Sequence, residues 1–213
     1  MLINELAKAV HENAVAHGWW DGEREAPEIV ALIHSEWSEA LEEARAGRPL
    51  VWYGCGEAEN CNIICNPHDE YECRMYGREL ECEFRVKKPE GIVVELIDGC
   101  IRILDYMGRL KAEIAEREGV PSTIESLYTD HNVTRVPDKL PELIAYLHMT
   151  TSFCLFDADG KKRQIICPSM HALLMALAAA LSWVKKQGLD PLAILLEKHE
   201  FNKSRPYKHG KKF

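Results

Sequence analysis

Apolar side chains recur along the chain with a helical period that is interrupted once, at length. Leu2, Leu6, Ala9, Val10 and Val15 fall near one face of a wheel over 2–17, and Gly18 ends that run. An aromatic corner, Trp19-Trp20-Asp21-Gly22, follows. A second helix is predicted over 27–46, with Pro27 suited to the first turn and Gly47 just past the end. Across 48–88 the period is lost, and one short strand is expected at 80–87. Pro89 then opens a third, longer helix that runs to about Arg117, before Gly119 and Pro121. The stretch 118–137 is rich in breakers and reads as a connector. A fourth helix begins near Pro141 and ends by the Asp157–Gly160 turn, and a fifth, rich in Ala and Leu, spans 169–187. Pro191 starts a sixth, which runs out near Asn202 into a basic tail. The expected fold is therefore all-α. It is a single domain over 1–213, a helical bundle of five to six helices, with an irregular Cys-rich lobe at 48–88 inserted between helices two and three.

The polar positions within these helices carry the chemistry. On helix two, Ile29, Ile33, Trp37, Ala40 and Ala44 lie within about 40° of one line, and Glu36 is only about 60° away from it. Glu39 and Glu43 continue that ridge. A carboxylate so near a buried face loses solvation unless a cation or a donor meets it. Helix three is apolar over a sector of about 200°, which leaves one narrow polar stripe of Glu95, Asp98, Arg102, Asp105 and Arg109. Such a helix is buried, so its stripe is expected to face an internal cavity.

A lone Glu-x-x-Glu is cheap in an acidic chain, and Glu25/Glu28, Glu39/Glu42 and Glu113/Glu116 share the spacing on what read as solvated faces. Two such pairs on two mostly buried helices are different, because converging carboxylates need cations. A divalent-metal site follows. A di-iron bundle requires Glu-x-x-His, and none of the nine histidines has Glu three residues before it. All-oxygen ligation favours Mg2+ or Mn2+, the ions that accompany nucleotide phosphates.

Charge narrows the function further. The net charge of −8 disfavours a groove for nucleic-acid polymer, which needs a positive field. It is also unevenly spread, with +5 on residues 198–213 and −13 on the rest. Lys198 and Asn202 share a helix face, and Arg205 offers a fork for phosphate oxygens; the competing reading is a merely solubilising tail. No run of 18 apolar residues exists, so no membrane span is expected. Glu5, Lys8, His11 and Glu12 break up any signal-peptide core, and a reducing cytoplasmic setting is expected.

Three elements taken in order resemble a known family. His17-Gly18-Trp19-Trp20 with the run Glu28 to Glu43, then Pro89-Glu90-Gly91 with Ile92 to Asp98, then Lys198 to Gly210, are similar to the all-α nucleoside triphosphate pyrophosphohydrolases. These are the MazG-like proteins and their relatives, the dimeric dUTPases. The resemblance covers most of the chain outside 48–88. It implies attack of water on the α-phosphorus of a nucleoside triphosphate, giving monophosphate and pyrophosphate, and, with the broad apolar girth of helices three and five, a homodimer or higher homo-oligomer. By matching position it implies Glu36, Glu39, Glu95 and Asp98 as metal ligands, with one of Glu36 and Glu39 also orienting or deprotonating the water. Lys198, Asn202, Arg205 and Lys208 would bind the triphosphate. The long stretch between the two acidic elements departs from compact members, where a short loop stands.

Two features lie outside that scheme. Trp19 and Trp20 suit the sealing of a helix end, and Trp20 also offers a face on which a nucleobase could stack. Cys55, Cys61, Cys65 and Cys73 could form a four-thiolate Zn2+ site that clips the irregular lobe, although the gaps between them do not match a standard finger. Ordinary reduced thiols are the simpler reading. The alternative to an enzyme is a non-catalytic, zinc-clipped interaction or regulatory protein whose working surface is the Cys-rich lobe.

Overall fold

The computed structural model describes residues 1–55, 87–110, 122–129, 136–155 and 170–210. These form seven α-helices, one two-stranded ribbon and a final 3-10 turn. The all-α expectation holds, and no helix among the described residues is long and apolar enough to cross a membrane.

Helix α3 (Ile92–Arg109) is the axis of the molecule, as its wide apolar girth demands. Helices α1 (Ile3–Ala16) and α2 (Ala26–Arg45) pack along it, α6 (Met170–Lys186) covers another side, and α7 (Pro191–Ser204) lies across its first turns. Helix α5 (Leu140–Phe153) fills the space between α2 and α6. The unbroken buried run Ala176–Ala180 gives α6 a slim face that can approach its neighbours closely.

Several local differences from the sequence expectation have clear causes. The connector around 118–137 contains a short helix, α4 (Ile124–Thr129), because Ile124 and Leu127 are buried against the core despite the breakers on either side. Thr123 and Ser126 cap its start by exchanging hydrogen bonds, with Ser126 N donating to Thr123 Oγ1 at 3.1 Å. Pro89 does not open a helix. It sits in strand β2 (Lys87–Glu90), antiparallel to β1 (Trp52–Cys55), with Tyr53 opposite Pro89.

The third helix begins only at Ile92, after Gly91, whose φ of 110° belongs to the left-handed half of conformational space. A Cβ there would also lie 2.8 Å from the carbonyl oxygen of Pro49, so glycine is required twice over. Val93 N donates to Leu50 O at 2.9 Å, which ties the ribbon to the start of α3. The lobe expectations fall mostly on residues 56–86. Cys61, Cys65 and Cys73 lie outside the described residues, and Cys55 is placed only as the last residue of β1.

The crossing of α2 over α3 is set by one small residue. A Cβ on Gly99 would lie 2.2 Å from the ring of Trp37, so the fully buried indole packs directly on the α3 backbone. Its Nε1–H donates to Thr151 Oγ1 on α5 at 3.1 Å, so the large ring leaves no polar atom unpaired.

Candidate metal and anion site

Glu36 immediately precedes Trp37, and Asp98 immediately precedes Gly99, so the tight crossing brings the two acidic pairs together. One carboxylate oxygen from each of Glu36, Glu39 and Glu95 lies within 4.8 Å of the others. Glu36 and Glu95 are buried, at 6% and 7% exposure, and Glu39 is exposed. The cluster is thus closed at the back and open at one edge.

The cations around it are as specific as the carboxylates. Arg102 Nε donates to Glu36 Oε1 at 2.5 Å, from one turn beyond Asp98 on the same stripe of α3. Lys198 reaches in from α7 and pairs with Asp98 Oδ2 at 2.8 Å. Its side chain is only 2% exposed, and its Nζ also donates to Pro89 O at 3.3 Å. Burying a lysine so fully without a partner would be prohibitive, and Asp98 is that partner. Arg205 follows α7. Burial pulls its guanidinium below the ordinary value, against the attraction of Asp98, Glu90 and Glu36. Phe201 lies under both cations, 5.9 Å from Lys198 Nζ and 5.9 Å from the Arg205 guanidinium carbon.

Protonation reflects this setting. Burial, helped by the Asp98 charge and opposed by Lys198, pushes the Glu95 carboxyl up to about 8. Glu36 is also raised, by burial first, with the Arg102 charge opposing. Among the described residues the Glu95 carboxylate makes no hydrogen bond and no ion pair. It is the group in the cluster that most needs a cation in order to be charged. An all-oxygen donor set with one open edge fits Mg2+ or Mn2+.

Farther along the stripe, Asp105 Oδ1 accepts from His11 Nδ1 at 2.7 Å and from Trp20 Nε1 at 2.9 Å. Burial raises the Asp105 carboxyl, and both of these hydrogen bonds hold it down. The Trp20 ring meets His11 edge-on and has the Arg109 guanidinium 5.4 Å from its centroid. Trp20 is therefore fixed by α3 in orientation. The periodicity marked Arg102, Asp105 and Arg109 as the stripe without giving them partners. Those partners come from α1, α2 and the aromatic corner.

The tail behind Arg205 does not run free. Its carbonyl oxygen lies 3.0 Å from His17 Nε2, and Lys208 N donates to His17 O at 2.9 Å. The Tyr207 hydroxyl donates to Asp21, and Lys208 Nζ lies 3.7 Å from the same carboxylate. Lys208 is thus held at the aromatic corner and, among the described residues, makes no hydrogen bond or ion pair with the acidic cluster. Asn202 is half-buried, and among the described residues neither its Oδ1 nor either ring nitrogen of the buried His199 has a hydrogen-bond partner. Nothing in the sequence pattern singled out His199.

No family model, curated protein or solved structure matches the chain, so the functional reading rests on these residues and their geometry.

Proposed function

We propose that the chain is a Mg2+- or Mn2+-dependent nucleoside triphosphate pyrophosphohydrolase of the all-α, MazG-like kind. The observation that carries this reading is the meeting of Glu36, Glu39 and Glu95 within 4.8 Å on two largely buried helices, with Arg102 on Glu36, Lys198 on the adjacent Asp98, and Arg205 within electrostatic reach of both carboxylates. Bound there, a divalent ion would neutralise triphosphate charge and lower the pKa of a ligated water.

The chain's own groups divide the remaining work. Glu39 is the exposed member of the cluster, and it orients the water and takes its proton. Water oxygen bonds to the α-phosphorus as the bond to the bridging oxygen of the β-phosphate breaks. Arg205 holds phosphate oxygens, and its fork suits two of them at once, while Lys198 keeps Asp98 in place beside the cluster. Pyrophosphate leaves with the electron pair of the broken bond. Trp20, held by Asp105, presents its indole to the nucleoside end.

The test is pyrophosphate release from a panel of ribo- and deoxyribonucleoside triphosphates with Mg2+ or Mn2+. One pyrophosphate and one monophosphate per triphosphate are expected from at least one substrate. Release of orthophosphate instead, or no turnover of any triphosphate with either ion, would overturn the reading.

A further inference from the structure

We propose that Arg102 is an exchangeable counter-ion, which occupies Glu36 until a divalent cation arrives and then takes a phosphoryl oxygen of the anion that accompanies it. This rests on the metal-site reading above and extends it, by making cation and anion binding depend on each other through one side chain.

Four carboxylates, Glu36, Glu39, Glu95 and Asp98, share this corner with three cations, Arg102, Lys198 and Arg205. The two ion pairs are not equivalent. Lys198 is locked, fully buried between Asp98 and the Pro89 carbonyl. Arg102 is 35% exposed and holds Glu36 through Nε, so its two terminal amino groups extend past the pair.

A guanidinium and a divalent cation compete for the same carboxylate oxygen, because each repels the other at contact distance. Released from Glu36, Arg102 stays on the stripe between Asp98 and Asp105, and the Asp105 carboxyl already feels its charge. A tetrahedral dianion brought to the cluster's open edge is then the strongest available partner for the freed fork. Cation and anion each remove the cost of binding the other. By linkage the effect is reciprocal, so the anion tightens the cation and the cation tightens the anion.

The experiment uses the full chain, Mn2+ as the cation and sulfate as a tetrahedral dianion, with free Mn2+ read by electron paramagnetic resonance at matched ionic strength. Wild type is expected to bind Mn2+ at least about fivefold more tightly in sulfate than in chloride, the lower end of typical coupling between two sites. Arg102→Met is expected to bind Mn2+ in chloride at least about fivefold more tightly than wild type and to gain nothing from sulfate. Should the variant be too unstable without metal, thermal melting with and without Mn2+ decides instead. Mn2+ must then raise the melting temperature of Arg102→Met more than that of wild type.

If Arg102→Met binds Mn2+ no better than wild type, Arg102 is a fixed partner of Glu36 and the proposal fails. It fails equally if sulfate leaves the wild-type affinity unchanged. No nucleotide is present, so the two readings fail separately. Linked Mn2+ and sulfate binding without pyrophosphate release from any triphosphate sinks the hydrolase alone, and turnover without linkage sinks the exchange alone.

Discussion

Glu95 shows how a single side chain couples proton, cation and stability. Its carboxyl is raised to about 8 by burial and the neighbouring Asp98, whereas in the unfolded chain it titrates as an ordinary glutamate. A raised acid contributes stability that is complete below the unfolded value and is lost as pH rises through about 8. In chelating buffer the melting temperature is therefore expected to fall between pH 5 and 9, and Glu95→Gln should flatten that portion of the curve. Mn2+ should reverse the trend, because binding releases the proton and strengthens with pH. A wild-type profile that matches Glu95→Gln would show that Glu95 is not the buried acid described. Asp98 is poised differently, already paired with Lys198. Asp98→Asn should lower turnover by at least ~100-fold while leaving helicity intact, measured as pyrophosphate release beside circular dichroism. At this scale the sequence displayed the carboxylates through their spacing, and it hid their partners. Arg102 and Lys198 are 66 and 162 residues from Glu36, and nothing in a helical period links positions so far apart.

Between elements, the α2–α3 crossing decides whether the two acidic pairs meet at all. Gly99→Ala adds a methyl group where the Trp37 ring now lies, and the ring has no room to retreat because it is fully buried. Overpacking of this kind costs about 1–3 kcal/mol and shifts backbones. The expected result is a lower melting temperature together with weaker Mn2+ binding, measured by titration on folded protein; unchanged affinity would mean the crossing does not set the cluster. A second junction is acid-sensitive. His34 on α2 and His148 on α5 stack with centroids 4.9 Å apart and Nδ1 atoms 2.7 Å apart, and Ser152 Oγ lies 3.2 Å from His34 Nε2. Burial lowers both rings below the ordinary histidine value, and His148 lowers His34 further. Histidines lowered in the folded state contribute stability that is present above pH 6.5 and is lost as pH falls below it. His148→Gln should accordingly soften the acid limb of a melting-temperature profile between pH 7 and 5. The helices themselves were plain from apolar spacing, apart from α4, whose six residues are too few to show a period. Pro89 misled because proline is equally at home before a helix and in an edge strand.

For the molecule as a whole, the tail matters by where it is fastened. Gly18, with φ of 76°, ends the first helical run, and the Tyr207 ring occupies the space of its missing side chain. Gly18→Ala would strain the backbone and displace the ring, while leaving every tail residue chemically unchanged. If the docked tail positions Arg205, this substitution alone should lower kcat/KM by about tenfold or more for every triphosphate, the loss expected from one misplaced charge-assisted contact. Truncation after Phe201 should abolish measurable turnover. A truncated chain that keeps kcat/KM within about a factor of two would show the tail to be dispensable. The sequence made the tail's charge evident, but its anchoring uses the main-chain groups of His17, Arg205 and Lys208 alongside the Tyr207 and Lys208 contacts to Asp21, and main-chain groups carry no mark in a sequence.

Helix α3 carries the acidic pair Glu95 and Asp98 near one end and Asp105, which fixes Trp20, toward the other. Ten residues of helix separate Glu95 from Asp105, an axial span of about 15 Å. The stripe is therefore a gauge, rigid in both length and phase, against which any ligand touching both ends is measured. One residue inserted between Asp98 and Asp105 would lengthen it by only about 1.5 Å but swing the far end round by about 100°. Trp20 would then lose its anchor, and no adjustment of the loops could restore it. Evolution of what this chain accepts must then work by exchanging side chains along α3, or by remodelling the connections beyond it, because the gauge itself admits no change of length.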